Sequence, residues 1–403
     1  MITITGKYNS ADVYVSGYED VDQATYSQLV QLLSVPCMAG QHIAIMPDCH
    51  AGKACCIGYT QTITDSVVPN LVGVDVSCGM HVVKISKDYH FDFAKLDKII
   101  RQYIPCGTGH RKTIHPFAEQ VEFDRLVADV DANNLKLSVG SLGSGNHYNE
   151  VDIDSDGNYY IVIHSGSRHL GVEVCNFHQK RAIQQRHNAI DGKREEFIET
   201  LKAAGRTDEI EHELAEYDRR NPVVPDALAW LDGSYLDDYL NDMNICTQFA
   251  DMNRRAMMDI ILDKMDIKRR YIMDSFTTVH NYVDVANKII RKGAISLQSD
   301  EIAIIPMNMR DGALLVRGKG NAATNFSGPH GAGRLLSRSA AKETLAMSDF
   351  KKSMEGIYTT SVNAGTIDES PMAYKPMQAI LDNIGDMCDV VKIIKPVYNF
   401  KAS

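Results

Sequence analysis

Gly73-Val74-Asp75-Val76-Ser77-Cys78-Gly79 sets a carboxylate and a thiol three residues apart between glycines, so both side chains can turn toward one ion if the run ends in a tight bend. Further along, Gly143-Ser144-Gly145-Asn146-His147 and His164-Ser165-Gly166-Ser167-Arg168 each put a histidine where an apolar run meets small residues. Such residues let a ligand come close to the backbone. His280, followed by Asn281, is a further imidazole. Alone, each has a plain reading: a lone histidine as a satisfied core or surface group, a buried cysteine as a small apolar filler. Together Asp75, Cys78, His147, His164 and His280 supply enough donors for two ions. By residue type Zn²⁺ comes first, since thiolate and imidazole suit it, with manganese or Co²⁺ next because a carboxylate is included.

A second set points to phosphate chemistry. Pro329-His330-Gly331-Ala332-Gly333-Arg334-Leu335-Leu336-Ser337-Arg338 opens with a histidine and is expected to run through its glycines into a helix carrying Arg334 and Arg338 one turn apart. Free amides at a helix start and two guanidinium groups suit a phosphate. The plain alternative is a tight loop and a solvated basic helix. Met46-Pro47-Asp48-Cys49-His50-Ala51-Gly52-Lys53 gathers a carboxylate, a thiol, an imidazole and an amine, and by itself also reads as a turn whose aspartate caps local backbone. The sequence holds neither a GxxxxGK[ST] loop nor a Lys-x-Asp-Gly segment. A nucleotide activated here therefore needs a different nucleophile.

The segments that must position these groups alternate in type. From Ile43 to Ser86, and again from Leu135 to Ser167, short apolar runs broken by glycine read as strands meeting loops. Residues 176–270 read as helical: the stretch KREEFIETLKAAG is polar, and Tyr239, Met243, Cys246, Phe249, Ala250, Met257, Ile260 and Ile261 recur at helical spacing. Strand-like runs return after Arg270. With no repeat and no long Gly/Ser/Pro linker, the motifs on either side of the helical block are expected to converge in one large domain.

Bulk properties narrow the function classes. The 403 residues can bury a core without disulfides, and nine scattered cysteines, two of them the adjacent Cys55 and Cys56, read as reduced thiols. No apolar run approaches the ~20 residues of a membrane helix. The first residues alternate like a strand rather than like a leader, so the cytoplasm is the expected location. A formal charge of −10 excludes a general nucleic-acid coat, leaving a local patch, bound metal ions included, for any nucleic acid.

Taken together the segments resemble the RtcB family of RNA ligases. GVDVSCGM, GSGNH, HSGSR, HNYV, the HGAGR run and IDESPMAYK at 367–375 occur in the family's order, and the resemblance runs from PDCHAGK to the last residues. It implies a mixed α/β fold with central β-sheets around a deep metal cleft and a helical insertion. It also implies two Mn²⁺ ions, GTP as cosubstrate and a covalent histidine–GMP intermediate. The reaction would join an RNA 3′-phosphate or 2′,3′-cyclic phosphate end to a 5′-hydroxyl end, in RNA repair or tRNA splicing. An archease-type helper is a partner it allows.

Position by position, the resemblance makes His330 the guanylylated nucleophile. Asp75, Cys78 and His147 would hold one manganese and Cys78, His164 and His280 the other, with a bridging thiolate. The guanylate site would take Asn146, His147, Tyr148, Asn149, Glu150, His280, Asn281, Pro306, Met307, Asn308, Met309, Ala313, His330, Gly331, Ala332 and Gly333, with Tyr374 against the base and Lys401 near it. Arg168, Arg334 and Arg338 would meet RNA-end phosphates. Where the family usually reads Pro-Gly-Ser-Met-Gly, this chain has Pro306-Met307-Asn308-Met309-Arg310, and Ala313 stands where serine is frequent. Met307 is expected to push that loop away or force a different turn, and so to weaken GTP binding, while the Asn308 amide can replace the serine hydroxyl as donor. Two other classes compete: a dinuclear phosphoesterase acting on RNA ends without GTP, and a non-catalytic RNA- or nucleotide-binding relative.

Overall fold

Gly79–Ile85 is rich in β-branched and apolar residues and free of proline, and it forms a strand buried on both faces. Ile272–Val279 lies on one side of it and Tyr159–Ser165 on the other, followed by Tyr148–Ile153, Cys388–Lys401, Gly312–Gly318 and Ile302–Asn308, each antiparallel to the next. The short strand Tyr358–Thr359 pairs parallel to Cys388–Lys401 and completes an eight-stranded sheet. A six-stranded sheet runs in the order Ile2–Thr5, Ser10–Val13, Ile43–His50, Ile57–Thr62, Ile289–Lys292, Tyr282–Asp284. This arrangement is that of a computed structural model, which describes residues 1–221 and 223–401.

Between Tyr159–Ser165 and Ile272–Val279 the chain is mainly helical, with helices Arg168–Ala203, Ile210–Arg220 and Ser234–Lys264. The first two lie side by side, Phe197 stacking on Tyr217 at 4.7 Å, and the polar stretch 193–205 is largely exposed on them. Ser234–Lys264 is the helix around which the molecule is built. The eight residues from Tyr239 to Ile261 that recur at helical spacing are all buried on it. Its first half shares one apolar cluster with Val283 and Ile290 of the six-stranded sheet, and the helix packs against the strand Tyr282–Asp284 there. Its second half, through Met257, Met258 and Ile261, packs with Val83, Ile161 and Ile163 of the eight-stranded sheet. Each such side chain contributes roughly 1.5–3 kcal/mol on burial, so this one helix ties both sheets into a single mixed α/β unit.

Antiparallel order also sets the site. Gly79 pairs with both Ser165 and Val279, and Tyr148 pairs with His164. Two strands therefore begin where two others end. Cys78, His147, His164 and His280 each sit within one residue of those termini, so the ladder gathers at one sheet end four residues distant in sequence.

Candidate functional site

The four side chains converge. Cys78 Sγ lies 3.3 Å from His147 Nε2 and 3.1 Å from His164 Nε2, and His164 Nε2 lies 3.3 Å from His280 Nε2. Asp75 Oδ2 is 3.5 Å from His147 Nε2. The ligand atoms form two groups that share the cysteine: Cys78, His164, His280 and Asp75, Cys78, His147. His147 Nδ1 is 2.9 Å from the Leu142 carbonyl and His164 Nδ1 3.2 Å from that of Asn146, which places each ring proton on Nδ1. Both Nε2 lone pairs are thus aimed at the sulfur.

Electrostatics sharpen that reading. Burial, with neighbouring imidazoles, holds His164 and His280 well below the usual histidine range, so both are neutral. Burial pushes the Cys78 thiol up, and Asp75 beside it adds to the effect. Burial would raise Asp75 too, but its interactions with His147 and Cys78 outweigh this and leave it at about 2. Converging lone pairs, a carboxylate and a buried thiol repel one another unless a cation lies among them, so the donor set fits divalent metal.

The surroundings enforce this geometry. Arg254, fully buried on helix Ser234–Lys264, donates from Nη1 to the carbonyls of Ser77 (2.8 Å) and Ser165 (2.9 Å). Its neighbour Asn253 accepts from the amides of Gly140 and Ser141 and donates to the Gly166 carbonyl. Ser77, Arg168 and Asn281 all have positive φ (54°, 56° and 59°), strain that collects where ligands must be aimed. Gly143, at φ 91°, admits no side chain: a Cβ there would lie 1.9 Å from Arg168 Nη1 and 2.7 Å from His147 Nδ1. At Gly166 it would lie 2.6 Å from Asp75 Oδ1.

Next to this cluster is His330, its ring centroid 4.9 Å from that of His280. It follows the strand Ser327–Pro329, and it is gripped by Asp48, a fully buried residue of the strand Ile43–His50. Asp48 Oδ2 is 2.6 Å from His330 Nδ1 and accepts the His330 main-chain N–H at 3.1 Å. In its neutral form the ring therefore carries its proton on Nδ1, bonded to Asp48, and keeps a lone pair on Nε2. His330 opens onto a cavity of about 300 Å³ whose wall includes His164, His280, Asn146, Tyr148, Glu150, Asn281, Pro306 to Met309 and Gly331 to Gly333.

The other end of the cavity is a polar knot around Glu369. Its carboxylate receives Tyr374 Oη at 2.7 Å, Lys401 Nζ at 2.5 Å and Arg338 Nη1 at 2.7 Å. Burial alone would raise Glu369, but Lys401 and Arg338 overcome it and hold the group at about 2. Arg334 stacks over Tyr374 at 5.0 Å and donates to the Asp368 carbonyl at 2.6 Å.

Several expected placements differ. Arg334 is not helical: it forms an isolated bridge with Tyr374, and the helix Arg338–Thr344 starts only where the Ser337 side chain caps Ala340 N–H. The two arginines meet instead through shared acidic partners. Asn149 does not reach the cavity, because alternation along Tyr148–Ile153 turns it away from the face of Tyr148 and Glu150. Ala313 packs in the core with Tyr148, Ile304 and Leu315. His147 belongs to the ligand cluster and not to the cavity wall. Arg168 stands on the Asp75–His147 flank, donating to Ser141 Oγ and the Gly107 carbonyl. Nor does Met307 push its loop outward: its side chain enters the core with Met46, Leu314 and Ile380. Asn308 spends its amide on its own turn, Oδ1 accepting from Arg310 and Asp311 amides and Nδ2 donating to Asp311.

The profile of the family described as "tRNA-splicing ligase RtcB" matches residues 28–129 and 118–402. The chain belongs to the RtcB family. It is 29% identical to an Escherichia coli K12 protein named "RNA-splicing ligase RtcB", over 94% of each chain. It is 24% identical to the "tRNA-splicing ligase RtcB" of Methanococcus maripaludis, over 92% of this chain and 88% of that one. Within this RtcB-family site, sequence reasoning singled out neither Asp48 nor Glu369 as site residues, although both lie in segments it quoted. It also passed over Asn399, which lines the cavity and donates to Glu150 at 2.6 Å. A buried carboxylate gains meaning only from its partners, and the charged ones here, His330 for Asp48 and Lys401 and Arg338 for Glu369, are tens to hundreds of residues away.

Proposed function

We propose that this protein is a GTP-dependent RNA ligase that joins 3′-phosphate or 2′,3′-cyclic phosphate ends to 5′-hydroxyl ends through GMP carried on His330. The observation that supports it is the placing of a single imidazole, oriented by a buried carboxylate, on a cavity wall beside a converging metal-ligand set. A dinuclear phosphoesterase that attacks with metal-activated water would not need that imidazole as a carrier.

The chain's own groups account for the first step. His330 Nε2 attacks the α-phosphorus of GTP, an N–P bond forms and the bond to pyrophosphate breaks. Positive charge then develops on the ring, and Asp48, bonded to Nδ1–H, offsets it without taking the proton, as a triad carboxylate does. Asp75, Cys78 and His147 would hold one divalent ion and Cys78, His164 and His280 a second, Mn²⁺ in this reading, which when bound supply positive charge against the phosphoryl oxygens. Tyr374 and Lys401 offer a ring and an ammonium to the base, with Glu150 and Asn399 as polar edges. Arg338 reaches the cavity with its side chain 48% exposed and is the better placed of the arginines to meet an RNA phosphate. A 2′,3′-cyclic phosphate is first opened by water to a 3′-phosphate; an oxygen of the 3′-phosphate then takes GMP as the N–P bond to His330 breaks, and the 5′-hydroxyl attacks the RNA 3′-phosphorus with GMP leaving.

Incubation with Mn²⁺ and GTP labelled at the α-phosphate tests this reading. Acid-labile, protein-bound GMP is expected, with ligation of a 3′-phosphate RNA to a 5′-hydroxyl RNA. Phosphate release from RNA ends with no bound GMP would instead establish the phosphoesterase reading.

A further inference from the structure

His50 lines the same cavity, yet it belongs to neither metal-ligand group. It ends the strand Ile43–His50, two residues after the aspartate that orients His330. Its Nδ1 is 2.8 Å from the Asp48 main-chain carbonyl, so the ring proton sits on Nδ1, and Nε2 has no hydrogen-bond partner among the described residues. Burial lowers its pKa despite the opposing pull of Asp48, which keeps the ring neutral. Its partner across the ladder is Ile57, and Ile57 leads back to the nucleophile: a Cβ built at Gly293 would lie 2.1 Å from Ile57 Cγ2 and 3.3 Å from His330 Cε1. His50 is thus a neutral imidazole with an unused lone pair on the His330 side of the cavity.

The proposed reaction has one nucleophile of the joining steps that must lose a proton. The imidazole of His330 attacks with a lone pair, and a 3′-phosphate attacks as an anion. The 5′-hydroxyl is different. We propose that His50 is the general base of the sealing step, a role that rests on the ligase reading above. As the 5′-oxygen bonds to the RNA 3′-phosphorus, its proton passes to His50 Nε2. The bond from that phosphorus to the GMP oxygen breaks, and GMP departs with the electron pair. The imidazolium is held by its Nδ1–H to the Asp48 carbonyl until it releases the proton to solvent.

The test uses the full chain with Mn²⁺ and two separate assays: covalent loading from labelled GTP, and single-turnover sealing of an RNA already carrying a 3′-guanylate to a 5′-hydroxyl RNA. His50→Ala should still load GMP but seal roughly 10²–10⁴-fold more slowly, the usual reach of general base catalysis, and added imidazole should restore part of the rate. His50→Gln keeps a polar side chain but cannot take the proton, so it should seal as poorly. Undiminished sealing by either variant, or a loss in which loading falls in parallel and imidazole gives no rescue, overturns the assignment. If the wild-type protein takes up no GMP yet seals the guanylated RNA in a His50-dependent way, the His330 reading fails and the His50 assignment stands.

Discussion

His330 Nδ1 and the carboxylate of Asp48 lie 2.6 Å apart across 282 residues of sequence, and the same Asp48 oxygen holds the His330 amide. One buried group thereby fixes both the ring's tautomer and the position of its backbone. Cys78 is shared by two ligand groups in the same way. The site is built from a few residues that each serve two partners, and this makes its single substitutions informative.

Asp48→Asn removes the charge that offsets a cationic His330 and leaves both ligand groups intact. GMP loading should fall by roughly 10³-fold or more, by analogy with a triad whose aspartate becomes asparagine. Metal content should stay at the wild-type level. His330→Ala should abolish labelling but still seal a pre-guanylated RNA, because in the proposed mechanism the histidine serves only to load GMP. Labelling that survives in His330→Ala would disprove the nucleophile.

Cys78→Ser should lose more metal than His280→Ala or His147→Ala, since one thiolate serves two sites and each histidine only one. Metal analysis after dialysis measures this. Two full equivalents in Cys78→Ser would return Cys78 to the role of core filler.

Glu369 gives a pH dependence with a definite sign. Its folded pKa of about 2 lies below the ordinary 4.5, so its contribution is fully present above pH 4.5 and is lost as pH falls toward 2. The depression corresponds to roughly 3 kcal/mol, for a side chain only 3% exposed. Denaturant titrations should show Glu369→Gln less stable than wild type at pH 7, with the gap closing between pH 4.5 and 2. A gap independent of pH would mean that the carboxylate is not ionised in the folded state.

How much of this was legible beforehand depends on range. The mixed α/β class, the helical spacing from Tyr239 to Ile261 and the candidate ligands are local patterns, and each stands in a single stretch of sequence. What escaped was long-range or stereochemical. Asp48 reads equally as a local cap or as part of a chemical cluster, because the partner that decides between them is 282 residues away. Arg334 looked helical because its spacing to Arg338 suits a helix, while Ser337 sets the cap only afterwards. Asn149 was carried along with its neighbours, although strand alternation separates it from them.

The loop at 306–310 shows the same limit and yields the last prediction. From sequence, glycine and serine at 307 and 308 would be expected to tighten GTP binding. The packing of Met307 and the turn held by Asn308 argue for the opposite outcome. Met307 is 3% exposed among Met46, Ile305, Leu314 and Ile380, so Met307→Gly opens a void in that cluster, at a cost of about 2–5 kcal/mol for a large-to-small change. Asn308 bonds closely to Arg310 and Asp311 across a tight turn in which Asn308 pairs with Gly312, and a serine hydroxyl can replace only part of that. Pro306, meanwhile, already stands close to the loop that follows His330, its carbonyl 3.2 Å from where a Gly331 Cβ would be. The double variant Met307→Gly, Asn308→Ser should therefore be less stable than wild type and bind GTP no more tightly. Asn308→Ser alone should cost about 0.5–1.5 kcal/mol of stability per hydrogen bond lost. Thermal unfolding and GTP titration of the loading reaction measure both. Tighter GTP binding at unchanged stability would show that the loop, as Met307 and Asn308 now hold it, does obstruct the nucleotide.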